Sequence, residues 1–212
     1  IKEGEIFGLI GPDGAGKTTL FRILTTLLLA DKGTATINGH DVVTDYKKIR
    51  NEVGYMPGKF SLYQDLSIEE NLQFFATIFN TTLKENYDLI KDIYVQIEPF
   101  KKRYAGQLSG GMKTRVALAR SFSTNPELLL LDEPFSALDI AWKSKLYVEL
   151  EKLREQSSTT VMIVTHDVQE ALLLADHVLV MNKLGSIETS KEIKTNYSLM
   201  QRVSNITDYM SS

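Results

Sequence analysis

The apolar positions of this chain switch repeatedly between two periods. Residues 5–10 (EIFGLI) form a short apolar run that stops at Gly11, the pattern of a buried strand. Over 18–29 the spacing changes, and Leu20, Ile23, Leu24, Leu27 and Leu28 predict a helix. Residues 34–37 and 52–56 predict two further strands, each near Gly or Pro. A capping box, Ser67 with Glu70, opens a predicted helix to Phe79. Another is predicted over 83–97, ending before Pro99. Ser109 reads as an N-cap leading a helix to about Phe122, which Asn125 and Pro126 end. Then follow a strand at 127–132, a helix at 141–156, a strand at 160–165, a helix at 168–175 and a strand at 177–181 expected to close the sheet. In the tail from residue 191, Ile193, Tyr197, Met200 and Val203 share one helical face, which reads as core packing, with a partner site as the alternative.

Strand and helix thus alternate in the outer parts, as βαβ units require, while residues 66–123 are mainly helical. The expectation is one α/β unit over 1–212 with a mostly parallel sheet. Its core covers 1–65 and 124–190, with a helical subdomain inserted at about 66–123 and a C-terminal tail at 191–212. No repeat or low-complexity segment interrupts it.

Composition narrows the options. Of 212 residues 43% are hydrophobic, enough for a substantial core. The 24 basic and 27 acidic residues leave a net charge of −3, so no strong field favours nucleic acid or anionic lipid. Absence of cysteine fits a reducing compartment. No apolar run approaches the ~18 residues of a membrane span, and no secretory signal opens the chain. Because residue 1 is not Met and a strand begins four residues later, an upstream portion is expected to be missing.

Candidate chemistry begins in the first loop. Gly11-Pro12-Asp13-Gly14-Ala15-Gly16-Lys17-Thr18 has the P-loop pattern, with a strand before it and a helix after it. Amides must converge on phosphate oxygens there, so glycines are needed that accept unusual dihedrals and put no side chain in the way. The helix end adds its positive pole, Lys17 a cation for the β- and γ-phosphates, and Thr18 a hydroxyl for Mg²⁺. Thr19 continues the helix start. The motif implies a nucleoside triphosphate without specifying its reaction. Farther on, Asp132 and Glu133 end a buried strand, where ligands of open α/β sheets bind. Asp132 suits Mg²⁺ and Glu133 suits polarising a water. A simple capping pair before Pro134 is the alternative.

Leu108-Ser109-Gly110-Gly111-Met112, 24 residues before Asp132, resembles the signature motif of ABC (ATP-binding cassette) ATPases, usually LSGGQ. Ser136-Ala137-Leu138-Asp139 resembles that family's D-loop, and His166 its switch histidine. The resemblance covers about residues 1–188. It implies a P-loop NTPase (RecA-like) core with an N-terminal antiparallel β portion. It also implies ATP and Mg²⁺ as ligands, and ATP hydrolysis by Glu133 and His166. A head-to-tail dimer is implied, in which Ser109, Gly110, Gly111 and Asp139 of one copy meet ATP held by another. Further implications are a transmembrane permease partner, a peripheral place on the cytoplasmic face of the membrane, and no nucleic-acid partner. The stretch from Gly54 to Leu72 resembles ATPase components of ABC-2-type multidrug exporters, so export is expected.

Two departures stand out. The family usually has a glutamine where this chain has Gly58, so weaker Mg²⁺ coordination and slower turnover are expected, and a catalytically weakened regulatory domain is an alternative. The aromatic residue that stacks on adenine usually precedes the first strand, outside this chain. A ribosome-acting soluble ABC protein would bring paired domains and a long linker, and a P-loop kinase would lack the Ser109 motif and His166.

Overall fold

The computed structural model describes residues 3–58 and 62–192. The tail stripe proposed from residue 193 onward lies outside the described residues.

Six strands form one sheet in the order β4-β5-β6-β1-β7-β8. These are β1 (Ile6–Ile10), β4 (Val53–Met56), β5 (Leu128–Asp132), β6 (Thr160–Val164), β7 (His177–Met181) and β8 (Ile187–Glu192). All neighbours are parallel except β8, which runs antiparallel to β7. The sheet therefore closes on β8 rather than on β7, as the sequence had suggested. Strand alternation divides the core into two layers. Ile6, Leu129, Leu131, Val161 and Ile163 belong to one, Phe7, Leu9, Leu130, Met162 and Val164 to the other. Both faces are covered, which is why these strands read as unbroken apolar runs.

The first layer packs against α3 (Ile68–Ile78), α4 (Tyr87–Ile97), α5 (Gly110–Phe122) and α6 (Ile140–Ser157), which supply Leu72, Ile93, Phe122 and Leu150. The capping box at Ser67 is present, with Glu70 N–H donating to Ser67 Oγ and Ser67 N–H to Glu70. Asn71, fully buried, ties the preceding loop to α3. Its Nδ2 donates to the carbonyls of Tyr63, Leu66 and Ser67, and its Oδ1 accepts from Tyr63 N–H.

Two local predictions are corrected and one helix is added. Helix α1 (Lys17–Leu24) ends five residues early. Thr25 Oγ1 bonds back to the Phe21 carbonyl at 2.8 Å and Thr26 turns left-handed, φ 59°, so Leu27 and Leu29 stay mostly exposed. A leucine run mimicked helical periodicity there. The strand expected at 34–37 shrinks to β2 (Thr36–Ile37), half of a hairpin with β3 (His40–Asp41). Asn38 and Gly39, both at positive φ, make its turn. This small hairpin is the N-terminal antiparallel β portion among the described residues. Helix α2 (Tyr46–Glu52) was not anticipated; the Asp41 carboxylate nucleates the turn before it by accepting from the N–H groups of Val43 and Thr44.

Candidate functional site

Register places the chemistry. Leu9 of β1 and Asp132 of β5 both pair with Val164 of β6, so three parallel strands end level at their carboxyl ends. The loops that follow carry Gly11–Thr18, Glu133 and His166 to one edge of the sheet, where α/β folds bind ligands.

The first loop needs its glycines. Gly14 and Gly16 take φ of 79° and 96°, and Gly16 forms the N-cap of α1 without any side chain bonding the first amides. Lys17 is buried, its Nζ donating to the carbonyls of Gly11 at 2.7 Å and Pro12 at 3.0 Å. Ala15 N–H donates to Pro12 and closes the loop. Asp13, Gly14, Gly16, Lys17, Thr18, Thr19 and Glu133 line a cleft of about 220 Å³.

Thr18 and Asp132, assigned together as Mg²⁺ ligands from sequence, meet: Thr18 Oγ1 donates to Asp132 Oδ1 at 3.1 Å. Among the described residues no cluster of three acids, histidines or cysteines forms a complete metal cage. One carboxylate plus one hydroxyl is what Mg²⁺ uses when substrate phosphates complete its shell, so the donor set fits. Burial pushes the Asp132 carboxyl above its ordinary value of 3.8 and Glu133 adds to this, against Thr18, Arg22 and Lys17. A raised carboxylate pKa means the folded state holds the proton more tightly, so stability falls as pH rises through the interval between the two values. Asp132→Asn is therefore expected to raise the Tm of the nucleotide-free protein at pH 7 while abolishing the added stabilisation by Mg-ATP. The gain should shrink as pH falls below the carboxylate range. Thermal scans across pH with and without Mg-ATP check this, and a lowered Tm at pH 7 would count against it.

Glu133 and His166 also come together, Oε1 to Nδ1 at 3.2 Å. Glu133 is held in the left-handed region, φ 48°, by its N–H donating to Val164 at 2.8 Å and by the N–H and hydroxyl of Ser136 donating to its carbonyl. That left-handed turn, which nothing in the sequence announced, accompanies the approach of the Glu133 carboxylate to His166.

Ser109, Gly110, Gly111 and Asp139 form a second group that does not line the cleft. Ser109 Oγ accepts from Met112 N–H at 3.4 Å and caps α5; Asp139 Oδ1 accepts from Trp142 N–H at 3.0 Å and caps α6. An added Cβ on Gly110 would lie 3.4 Å from Leu138 and 3.5 Å from the Ala137 carbonyl, so the two loops adjoin.

Gly58 gains a reason that sequence could not supply. A Cβ there would sit 2.7 Å from the Asp132 carbonyl oxygen, inside contact distance of rigid backbone. Restoring the family's glutamine would push this segment off β5 rather than add a ligand. Gly58→Gln is expected to lower Mg²⁺-dependent turnover. A faster enzyme in a steady-state assay would refute the steric argument. Sequence reading also missed Lys143, whose Nζ donates to Asp167 at 3.1 Å and Glu170 at 3.2 Å; a lone lysine so distant from its partners along the chain leaves no sequence signal.

A glycine-rich phosphate loop after one parallel strand, level with paired carboxylates two strands over, defines a P-loop NTPase. Residues 1–136 match the ABC transporter family. The chain belongs to that family. It is 38% identical over 205 residues to the sulfate/thiosulfate import ATP-binding protein CysA of Bacillus cereus, covering 92% of this chain and 57% of that protein. A protein of Chlorella vulgaris named a probable sulfate/thiosulfate import ATP-binding protein CysA is 37% identical, with 92% of this chain and 86% of that protein covered. Several such relatives are longer, and the chain spans little more than half their length. Among solved structures, the dimeric ABC transporter cassette MJ0796 superposes with a TM-score of 0.79 at 29% identity, covering 92% of this chain and 88% of that one. Its post-hydrolysis form, described as bound to ADP and Pi, gives a TM-score of 0.78. The relatives named here are importers, so the exporter resemblance of residues 54–72 gains no support from them.

Proposed function

We propose that this chain binds and hydrolyses Mg-ATP and so drives transport by a separate transmembrane subunit. The observation that carries this is the convergence of Lys17, the Thr18–Asp132 pair and the Glu133–His166 pair at one sheet edge. Lys17 would exchange its two loop carbonyls for β- and γ-phosphate oxygens, beside the loop amides and the start of α1. Thr18 and Asp132 would hold Mg²⁺, which neutralises charge on the phosphates. Glu133 would accept a hydrogen bond from the attacking water. As the water oxygen bonds to the γ-phosphorus, the bond to the β,γ-bridging oxygen breaks, and ADP and phosphate leave. His166, held beside Glu133 through Nδ1, would stand next to the γ-phosphate.

Because Ser109, Gly110, Gly111 and Asp139 lie outside the cleft, they would act on nucleotide held by a second copy arranged head to tail. The core at 1–65 and 124–190 and the helical part at 66–123 would then move relative to each other as the dimer closes and reopens. No described helix is long and apolar enough to cross a membrane, so the transmembrane path would belong to the permease. The chain would sit against it on the cytoplasmic face. A groove of about 880 Å³ among α1, α2, β4, α3 and α5, lined by Arg22, Lys47, Arg50, Arg120, Tyr46 and Phe75 and, among the described residues, by no carboxylate, suits an acidic segment of that subunit. Burial holds the Arg120 guanidinium down, to about 10, and the ring of Phe75 covers it at 4.3 Å.

Uptake of a small oxyanion is the direction and substrate class the relatives' names favour over export. The test is ATP hydrolysis by the full-length protein assembled with its permease in vesicles, with labelled sulfate supplied on either side. Mg²⁺-dependent phosphate release with uptake supports the reading. No phosphate release removes it, and release coupled to efflux would return the exporter assignment.

A further inference from the structure

The first turn of α6 touches both functional groups of this chain. Trp142 faces the signature side. Its ring lies where a Cβ on Gly111 would come, 3.0 Å away, and the Arg115 guanidinium sits over it at 4.8 Å. Arg115 is itself fixed to Glu149 at 2.9 Å. Little can slide there, because a planar ring is held between the backbone of α5 and a pinned guanidinium. The next residue faces the other way. Lys143 Nζ bonds Asp167 Oδ2 and Glu170 Oε2. Asp167 is the neighbour of His166, and its Oδ1 caps α7 (Val168–Leu174) by accepting from the N–H groups of Gln169 and Glu170. Its own N–H donates to Thr165 Oγ1. Glu170 is buried and also accepts from Tyr147 O–H at 3.1 Å. Burial opposes the Lys143 ammonium, but the two carboxylates outweigh it and raise its pKa, so the cation persists at neutral pH. Asp139, the N-cap of the same turn, takes Trp142 N–H on its side chain and Lys143 N–H on its carbonyl.

We propose that Trp142 and Lys143 are positioning residues that rigidly join the Ser109 end of α5 to the His166 segment, so that engagement of one copy's signature turn sets that same copy's His166 for hydrolysis. The inference rests on the reading of the site as an ATPase working in a dimer. It predicts that occupancy of one nucleotide site is sensed at the other, through the copy that contributes to both. Neither residue lines the phosphate cleft. A double-mutant cycle measures the coupling along this packed path.

The experiment uses the full-length protein assembled with its membrane subunit. Trp142→Ala and Lys143→Gln are each expected to lower kcat by ~3–30-fold while the KM for ATP stays within about twofold, since the loss falls on positioning rather than binding. If both act through one strut, the double variant is no slower than the slower single variant. Placed in a Glu133→Gln background, each full-length chain taken without the membrane subunit should still form ATP-dependent dimers in gel filtration, a result that general structural damage would abolish. Lys143→Arg keeps the cation and is expected to restore most of the rate. Should Lys143→Gln fail to fold, Lys143→Met combined with Glu170→Gln removes the buried charge together with its partner and takes its place in the cycle. Multiplying effects, an unchanged kcat or loss of the ATP dimer would overturn the link. Lys17→Ala run alongside separates the two levels. If it still hydrolyses ATP, the ATPase reading itself fails, whereas an inert Lys17→Ala with multiplying effects at Trp142 and Lys143 sinks the link alone.

Discussion

Glu133→Gln should slow ATP turnover by ~10²–10⁴-fold, the span typical for losing a positioned base, while nucleotide affinity stays close to that of the unaltered protein. The substitution preserves volume, and the bonds that hold this position are made by backbone: its N–H to Val164 and its carbonyl to Ser136. Glutamine tolerates φ 48° no worse than glutamate, so the strained turn, which costs ~1–3 kcal/mol, is unchanged. What disappears is the negative oxygen 3.2 Å from His166 Nδ1, and with it the acceptor for a water proton. Binding without hydrolysis should accumulate ATP-bound dimers, visible by gel filtration and by retained radiolabel. Turnover within about threefold of normal would show that Glu133 does not activate the water.

Lys17→Ala is expected to abolish hydrolysis at physiological ATP and to weaken nucleotide binding by ~10–100-fold or more. Charge-assisted hydrogen bonds are each worth ~1.5–3 kcal/mol, and Lys17 supplies the cation at the head of the phosphate loop. A smaller stability loss should accompany it, because the carbonyls of Gly11 and Pro12 lose their donor. Calorimetric titration with ATP and a thermal scan of the same sample separate the two effects. Unchanged ATP affinity would mean that phosphate is bound elsewhere. The two substitutions should differ in kind, one trapping nucleotide and the other failing to hold it.

Much of this site was legible because its parts are local. Gly14, Gly16 and Lys17 sit between a strand and a helix that both carry clear periodicity, and the Ser109 cap follows from residue type alone. Errors arose where local pattern and tertiary burial disagreed. Leu27 and Leu29 continue a helical spacing, yet Thr25 and Thr26 end α1 and leave those leucines in the open. Strand β8 has no apolar run to announce it, since an edge strand need bury only one face.

The order of residues alone determined a parallel α/β core, a triphosphate loop and paired carboxylates at a strand end, since these depend on neighbours within a few positions along the chain. Only the folded sheet decided which of them meet. The level endings of β1, β5 and β6 bring Thr18 against Asp132 and aim Glu133 at His166 through a left-handed turn. The same packing fills the space beside Gly58 with the Asp132 carbonyl and sets Lys143 between Asp167 and Glu170. Those contacts join residues far apart in the chain, and their distances follow from strand register and helix packing, which no local pattern of residue types encodes.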